Sequence, residues 1–214
     1  MNRRMFLLGA PLLLAGCGRA STYGFSLPDF SIGDYGGGYD NGFPLSAVDP
    51  MRINPALMRQ QVAYDGPQRG GTIVVNPSQH YLYLVGDGGR AVRYGVGVGR
   101  EGFAWSGVAR VGRKQVWPTW TPPVEMQRRQ PESAEYADGM PGGPGNPLGA
   151  RALYLYQGSR DTMYRIHGTN DPSSIGRSMS SGCIRLLNQD IIDLYERVPV
   201  GTRVVVLAAG EADV

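Results

Sequence analysis

Ligating and cross-linking side chains are scarce: the 214 residues hold two cysteines, Cys17 and Cys183, and two histidines, His80 and His167. Two cysteines cannot build a disulfide scaffold, and two of each residue argue against a closed zinc site. No apolar run approaches the ~20 residues of a membrane-spanning helix. Charge is sparse as well, at 18% of residues with a formal net of +3. Arg3 and Arg4 fall in a segment expected to be cleaved, and their removal leaves +1. That gives no electrostatic case for a nucleic-acid partner. What abounds is glycine, 32 residues, joined by 16 prolines; together they make 22% of the chain. This falls just short of the ~25–30% at which a whole chain reads as disordered. With 42% hydrophobic residues, the implied organisation is one domain with a core plus an unfolded part.

Residues 1–20, MNRRMFLLGAPLLLAGCGRA, have a basic start, an apolar stretch from Met5 to Leu14, and small residues before Cys17. This is the layout of a bacterial export signal. Leu14-Ala15-Gly16-Cys17 resembles the lipobox of bacterial lipoproteins, which implies lipidation of Cys17, cleavage before it, and a membrane anchor. Gly18 after that cysteine, by analogy with sorting rules, favours the outer membrane. Arg3-Arg4-Met5-Phe6-Leu7 resembles a twin-arginine motif, although plain n-region charge reads equally well. Lipidation of Cys17 leaves Cys183 as the mature protein's single thiol, in an oxidising compartment. It is therefore a candidate reactive group.

Residues 18–69 are rich in Gly, Asp, Tyr and Ser, with little apolar periodicity, and read as a flexible tether. Asn54-Pro55 can start a short helix within it, Asn as cap and Pro in the first turn. From Gly70 the texture becomes β. Strands are expected at 72–76, 80–85, 91–98, 108–116, 152–156, 163–167, 183–187 and 203–207. One helix interrupts them, with Asn188 as its cap, Ile191, Leu194 or Tyr195, and Val198 at helical spacing, and Pro199 and Gly201 as its stop. The irregular stretch between Val116 and Gly149 reads as a lid or binding surface. The expected fold is mostly β, a sandwich or partly open barrel over 70–208, with a C-terminal tail at 209–214.

Chemistry concentrates in Ile166-His167-Gly168-Thr169-Asn170 and Ser180-Ser181-Gly182-Cys183-Ile184-Arg185-Leu186. A thiol needs a neighbouring base to act as a nucleophile near neutral pH, and an imidazole can form a thiolate–imidazolium pair with it. His167 and Cys183 lie 16 residues apart, each at an expected strand end, so adjacent strands can bring them together. The Gly168 carbonyl can accept from one ring nitrogen and orient the imidazole. The Ser181-Gly182-Cys183 turn can aim the amides of Gly182 and Cys183 at one spot, making an oxyanion hole. Arg185 shares the cysteine's face and can hold a substrate carboxylate or serve as a structural ion-pair partner.

His-Gly-Thr-Asn, nine residues, Ser-x-Gly-Cys-Ile-Arg-Leu, and then Val198-Pro-Val-Gly-Thr-Arg-Val together resemble the L,D-transpeptidases of the YkuD (ErfK/YbiS/YcfS/YnhG) family. The likeness runs from about Gly70 to Leu207 and includes GNPLGARALYL at 145–155. It implies that Cys183 attacks the third-residue carbonyl of a peptidoglycan tetrapeptide stem and that D-alanine leaves, protonated by His167. The acyl group then passes to a stem amine or a lipoprotein lysine, without cofactor or metal. Water as acceptor would make a carboxypeptidase. One position departs: the family commonly reads Ser-His-Gly-Cys, and Ser181 stands at the histidine. A hydroxyl can donate a hydrogen bond but cannot replace an imidazole as an acid–base group. The departure bears on acceptor choice and rate.

Blander readings apply elsewhere. His80 is expected to be a packed or rim residue, and Trp105, Trp117 and Trp120 to belong to core or groove. Asn170 can bind substrate, organise the site from behind, or simply form a turn with Asp171-Pro172. A papain or NlpC/P60 thiol hydrolase would place its cysteine before its histidine, the reverse of this order. A non-catalytic wall-binding lipoprotein is the other rival.

Overall fold

The computed structural model describes residues 32–99, 105–180, 182–208 and 210–211. The expected export signal, Cys17, residues 18–31 of the expected tether, and Ser181 lie outside the described residues. Among the described residues thirteen strands occur in chain order. They are β1 (Gly38–Asp40), β2 (Phe43–Leu45), β3 (Gln60–Ala63), β4 (Ile73–Asn76), β5 (Tyr81–Val85), β6 (Arg90–Gly95) and β7 (Val98–Gly99). There follow β8 (Gly107–Val116), β9 (Arg151–Gln157), β10 (Arg160–His167), β11 (Ser178–Ser180), β12 (Ile184–Arg185) and β13 (Arg203–Val206). The helices are α1 (Val124–Arg129) and α2 (Asn188–Arg197), with short 3-10 turns between elements.

Nine strands form one mixed sheet in the order β12-β10-β9-β8-β13-β4-β5-β6-β3. The mostly β expectation holds, and each of the eight expected strands has its counterpart. The sheet curls: Gly97, just past β6, exchanges two backbone hydrogen bonds with Arg185 of β12, at 2.9 and 2.8 Å. That contact ties the β12 edge back toward the other end of the sheet, as in a partly open barrel. Aliphatic residues at period two place Ile73, Val75, Leu82, Leu84, Val111, Leu153, Leu155 and Ile166 on the inner face. Helix α2 seals this core with Ile191 and Leu194, both fully buried. Each such burial contributes about 1.5–3 kcal/mol.

Two expectations change. From Ile32 onward the segment expected to be a tether is folded against the domain, which corrects that reading over residues 32–69. Asn54 does cap a 3-10 turn at Pro55–Leu57, its side chain accepting from the Ala56 amide, but the chain then enters edge strand β3. The docking is polar as well as apolar. The Tyr35 hydroxyl donates to Asp190 of α2 at 2.9 Å, and Arg59 reaches Asp34 at 2.9 Å and Asp193 at 3.1 Å. Asp40 receives both guanidinium nitrogens of Arg151, at 2.6 and 2.8 Å, and the Trp117 indole at 2.8 Å. The second change is that Asn188 does not cap α2. Leu187 occupies the cap position, and the Asn188 side chain turns elsewhere.

Candidate active site

Parallel pairing of β10 with β12 sets the site. Ile166 is level with Ile184 and His167 with Arg185, so the two latter side chains share a face. Cys183, two residues before Arg185, points the same way by strand alternation. His167, Cys183 and Arg185 accordingly line one cavity of about 540 Å³. Its walls are Trp120, Pro123, Met126, Gln130, Pro147 and Leu148, all from the 116–149 stretch, with Met163 and Tyr164 from β10. The expected lid is therefore a wall of this cavity. It is more ordered than the sequence suggested, holding α1, a 3-10 turn at Pro131–Tyr136, and a backbone bridge between Trp120 and Met140.

The ring of His167 is buried, and its Nδ1 lies 2.6 Å from the Gly168 carbonyl oxygen. A carbonyl can only accept, so Nδ1 carries the proton and Nε2 is left as the basic nitrogen. Burial, then the Arg185 guanidinium, lowers the imidazole from its ordinary 6.5 to about 4, although the Gly168 and Leu148 carbonyls push the other way. The Cys183 side chain is half-buried and its thiol is raised by desolvation, against the pull of the Arg165 amide and the Arg165 and Arg185 charges. The low-dielectric cavity thus works against both charged forms of the expected thiolate–imidazolium pair.

The turn expected to hold the oxyanion has one clear requirement. Gly182 adopts φ of 119°, and its backbone packs against Gly99, so the position suits glycine. Ser180 ends β11, which pairs with β7 beside this turn. Arg185 has its Nε buried without a hydrogen-bond partner among the described residues. Asn170 is not brought into this cavity. It donates to the Gly145 carbonyl at 2.9 Å and lines a separate cavity of about 240 Å³ behind the site. Of the tryptophans, Trp120 lines the Cys183 cavity, Trp105 packs on Tyr164 with ring centroids 5.5 Å apart, and Trp117 is buried against Asp40. His80 is a rim residue near Ser178 Oγ, at 3.1 Å.

Two features escaped the sequence reading. Asn188 Oδ1 accepts from the Ala150 amide at 2.9 Å and the Thr169 amide at 3.3 Å, staking down the backbone on either side of the His167 partner carbonyl. Gly149 and Gly168 press so closely on that oxygen that a Cβ at either position would collide with it. Met163 sits in the left-handed region (φ 65°) within an irregularity of β10, its amide held by Asp161 at 2.8 Å, and it is 73% exposed at the cavity mouth. A methionine in that conformation is a strained element beside the site.

The family model for the YkuD L,D-transpeptidase catalytic domain matches residues 70–206, more than half of the chain. The chain belongs to the YkuD family. The probable L,D-transpeptidase YbiS of Escherichia coli K12 is 40% identical over 138 residues, covering 62% of this chain and 43% of that protein. Probable L,D-transpeptidase ErfK/SrfK from the same strain is 39% identical over 164 residues, covering 74% and 50%. The chain thus spans about half the length of the curated relatives it matches. A crystal structure of a Brucella melitensis protein described as a probable carnitine operon oxidoreductase is 48% identical, with a TM-score of 0.51 over 72% of this chain and 96% of that one. Residues 34–59, including Tyr35, Asp40 and Arg59, precede the YkuD domain in sequence yet contact its α2 helix and lid base.

Proposed function

We propose that the chain is a peptidoglycan L,D-transpeptidase acting through Cys183 and His167. The observation that carries this reading is the cavity that Cys183 and His167 share, with Nδ1 of the ring committed to the Gly168 carbonyl, which makes Nε2 the nitrogen for the thiol proton. The thiol and imidazole start neutral. As sulfur bonds to the third-residue carbonyl carbon of a tetrapeptide stem, the thiol proton passes to Nε2. Negative charge gathers on the carbonyl oxygen, which the Gly182 and Cys183 amides are placed in sequence to receive. Collapse breaks the peptide bond to D-alanine, whose nitrogen takes the proton back from His167 and leaves a thioester. An acceptor amine then attacks the thioester carbonyl, gives its proton to Nε2, and expels the thiolate, which is reprotonated from His167. The acceptor is a second stem or a lipoprotein lysine; with water the same cycle makes a tripeptide.

Arg185, with a half-buried guanidinium at the cavity and an unengaged Nε, suits a stem carboxylate. Gly168 orients the ring through its carbonyl, and Ser180 and Ser181, from their place in the sequence beside Gly182, are the proposed companions of the oxyanion amides. The export signal, the lipidation of Cys17 and a periplasmic site of action at the outer membrane complete the proposal, with twin-arginine export as one route. Cys183→Ala is expected to fold like the parent and to lose all turnover on sacculi. New cross-links in muropeptide digests of the parent support transferase; tetrapeptides trimmed to tripeptides alone would favour the hydrolase. Retained turnover in Cys183→Ala would remove the thiol from the mechanism.

A further inference from the structure

Beyond Cys183 the same sheet face continues as a basic strip. Cross-strand register arranges it in rows. Gln115, Ala152, His167 and Arg185 are level with one another across β8, β9, β10 and β12. The next row is Arg113, Tyr154 and Arg165, and the third is Arg203, Arg110, Tyr156 and Asp161. The Arg113 and Arg165 guanidinium carbons lie 4.1 and 4.4 Å from the Tyr154 ring centroid, approaching it from the two flanking strands. Arg165 forms a two-bond pair with Asp161, at 2.7 and 2.9 Å, and Arg113 donates to Gln115 at 2.8 Å.

Arg110 and Arg203 differ from these. They stand directly opposite each other across β8 and β13, both exposed, and neither has a carboxylate partner among the described residues. Like charges in directly opposed positions destabilise a sheet, so the fold gains nothing from this pair. Lys114, the neighbouring cation, turns to the opposite side and donates to the Tyr195 and Val198 carbonyls at 2.6 and 2.8 Å. With strands ~4.8 Å apart, the arginines extend roughly 15–20 Å from the Cys183 edge.

We propose that this arginine strip is an extended subsite, continuous with the Cys183 cavity, for a strand carrying several carboxylates. The inference rests on the wall-peptide reading above and deepens it: the strand is a run of linked stem peptides, of which one enters the cavity. Planar guanidinium forks, two of them over a tyrosine ring, match planar carboxylates better than point charges would. The strip supplies affinity for neighbouring units, whereas Cys183 and Arg185 deal with the unit that reacts.

The test compares Cys183→Ala with the same protein also carrying Arg110→Gln and Arg203→Gln. The probes are a glycan-linked fragment of several stem tetrapeptides, one free tetrapeptide, and vesicles of anionic phospholipid. Removing the two arginines is expected to weaken the multi-unit fragment roughly five- to tenfold at low salt, an effect that fades at high salt. Affinity for the free tetrapeptide changes less than twofold, and the melting temperature does not fall. Unchanged binding of the fragment, or an equal loss for the single tetrapeptide, would overturn the proposal. So would a loss confined to vesicles, which would assign the strip to a phosphate surface, or a lower melting temperature, which would make the arginines structural. None of these readings needs turnover, so failure of the enzymatic reading appears separately, as absence of a Cys183 acyl adduct in the parent.

Discussion

Replacing Asn188 by alanine tests whether the histidine's carbonyl partner is held from behind. The Asn188 oxygen is the acceptor for the Ala150 and Thr169 amides, at 2.9 and 3.3 Å. A buried amide left without an acceptor costs about 1–3 kcal/mol, and the longer bond belongs at the low end. Asn188→Ala is therefore expected to destabilise the fold by about 2–4 kcal/mol. The effect on chemistry is separate. Once the Gly168–Thr169 backbone can drift, the carbonyl that fixes the His167 tautomer is no longer held at 2.6 Å. Loss of such an orienting partner typically costs roughly 10- to 100-fold. The assay is urea denaturation beside the single-turnover rate of Cys183 acylation by a tetrapeptide, measured where the variant is still folded. Asn188→Asp is the companion: it keeps an acceptor, restores much of the stability, and places a carboxylate behind the ring. That charge favours the imidazolium, raises the His167 pKa, and moves the acid limb of the rate profile to higher pH. An Asn188→Ala variant that is folded and acylates within twofold of the parent would refute the reasoning.

Other outcomes follow from the same geometry. With His167 lowered to about 4, the base is still unprotonated at pH 5.5, so acylation is expected to hold level down to about pH 5 and fall below it; a limb centred near 6.5 would contradict the buried neutral ring. Arg185→Gln is expected to lower kcat/KM about thirtyfold, chiefly through KM, and to shift the acid limb upward because Arg185 depresses His167; an effect on kcat alone would argue against carboxylate binding. Asp190, fully buried, is raised from 3.8 to about 7. A raised carboxyl contributes stability that is complete below about pH 4 and lost as pH climbs to 7, here about 4 kcal/mol. His167, being lowered, acts oppositely: it gains stability between about pH 4 and 6.5. Asp190→Asn removes the first trend, so its denaturation midpoint is expected to rise with pH more steeply than the parent's; identical slopes would refute this.

The strands were legible because alternating Val, Ile, Leu and Tyr report burial at period two, and Cys183 and His167 were legible because their neighbours form a long ordered signature. The folding of 32–63 was not. It docks through a few side chains, Tyr35, Asp40 and Arg59 among them, on residues more than a hundred positions away and through the short edge strand β3, and these leave no periodic trace. Asn188 was misread for a related reason: an asparagine before a helical pattern looks like a cap, and nothing local shows that Ala150 and Thr169 compete for its oxygen. The burial around His167 and Cys183 was hidden too, since spacing shows that two groups can meet but not how dry the meeting place is. The opposed arginines at 110 and 203 exist as a pair through register, which sequence separation conceals.

The most direct measurement is intact and peptide-level mass spectrometry of the folded protein incubated with a stem tetrapeptide. The account predicts one acyl group on the peptide containing Cys183, equal in mass to the stem without its terminal D-alanine, with D-alanine released in equal amount. A folded protein that releases no D-alanine and leaves Cys183 unmodified, or that carries the acyl group on another residue, would contradict it.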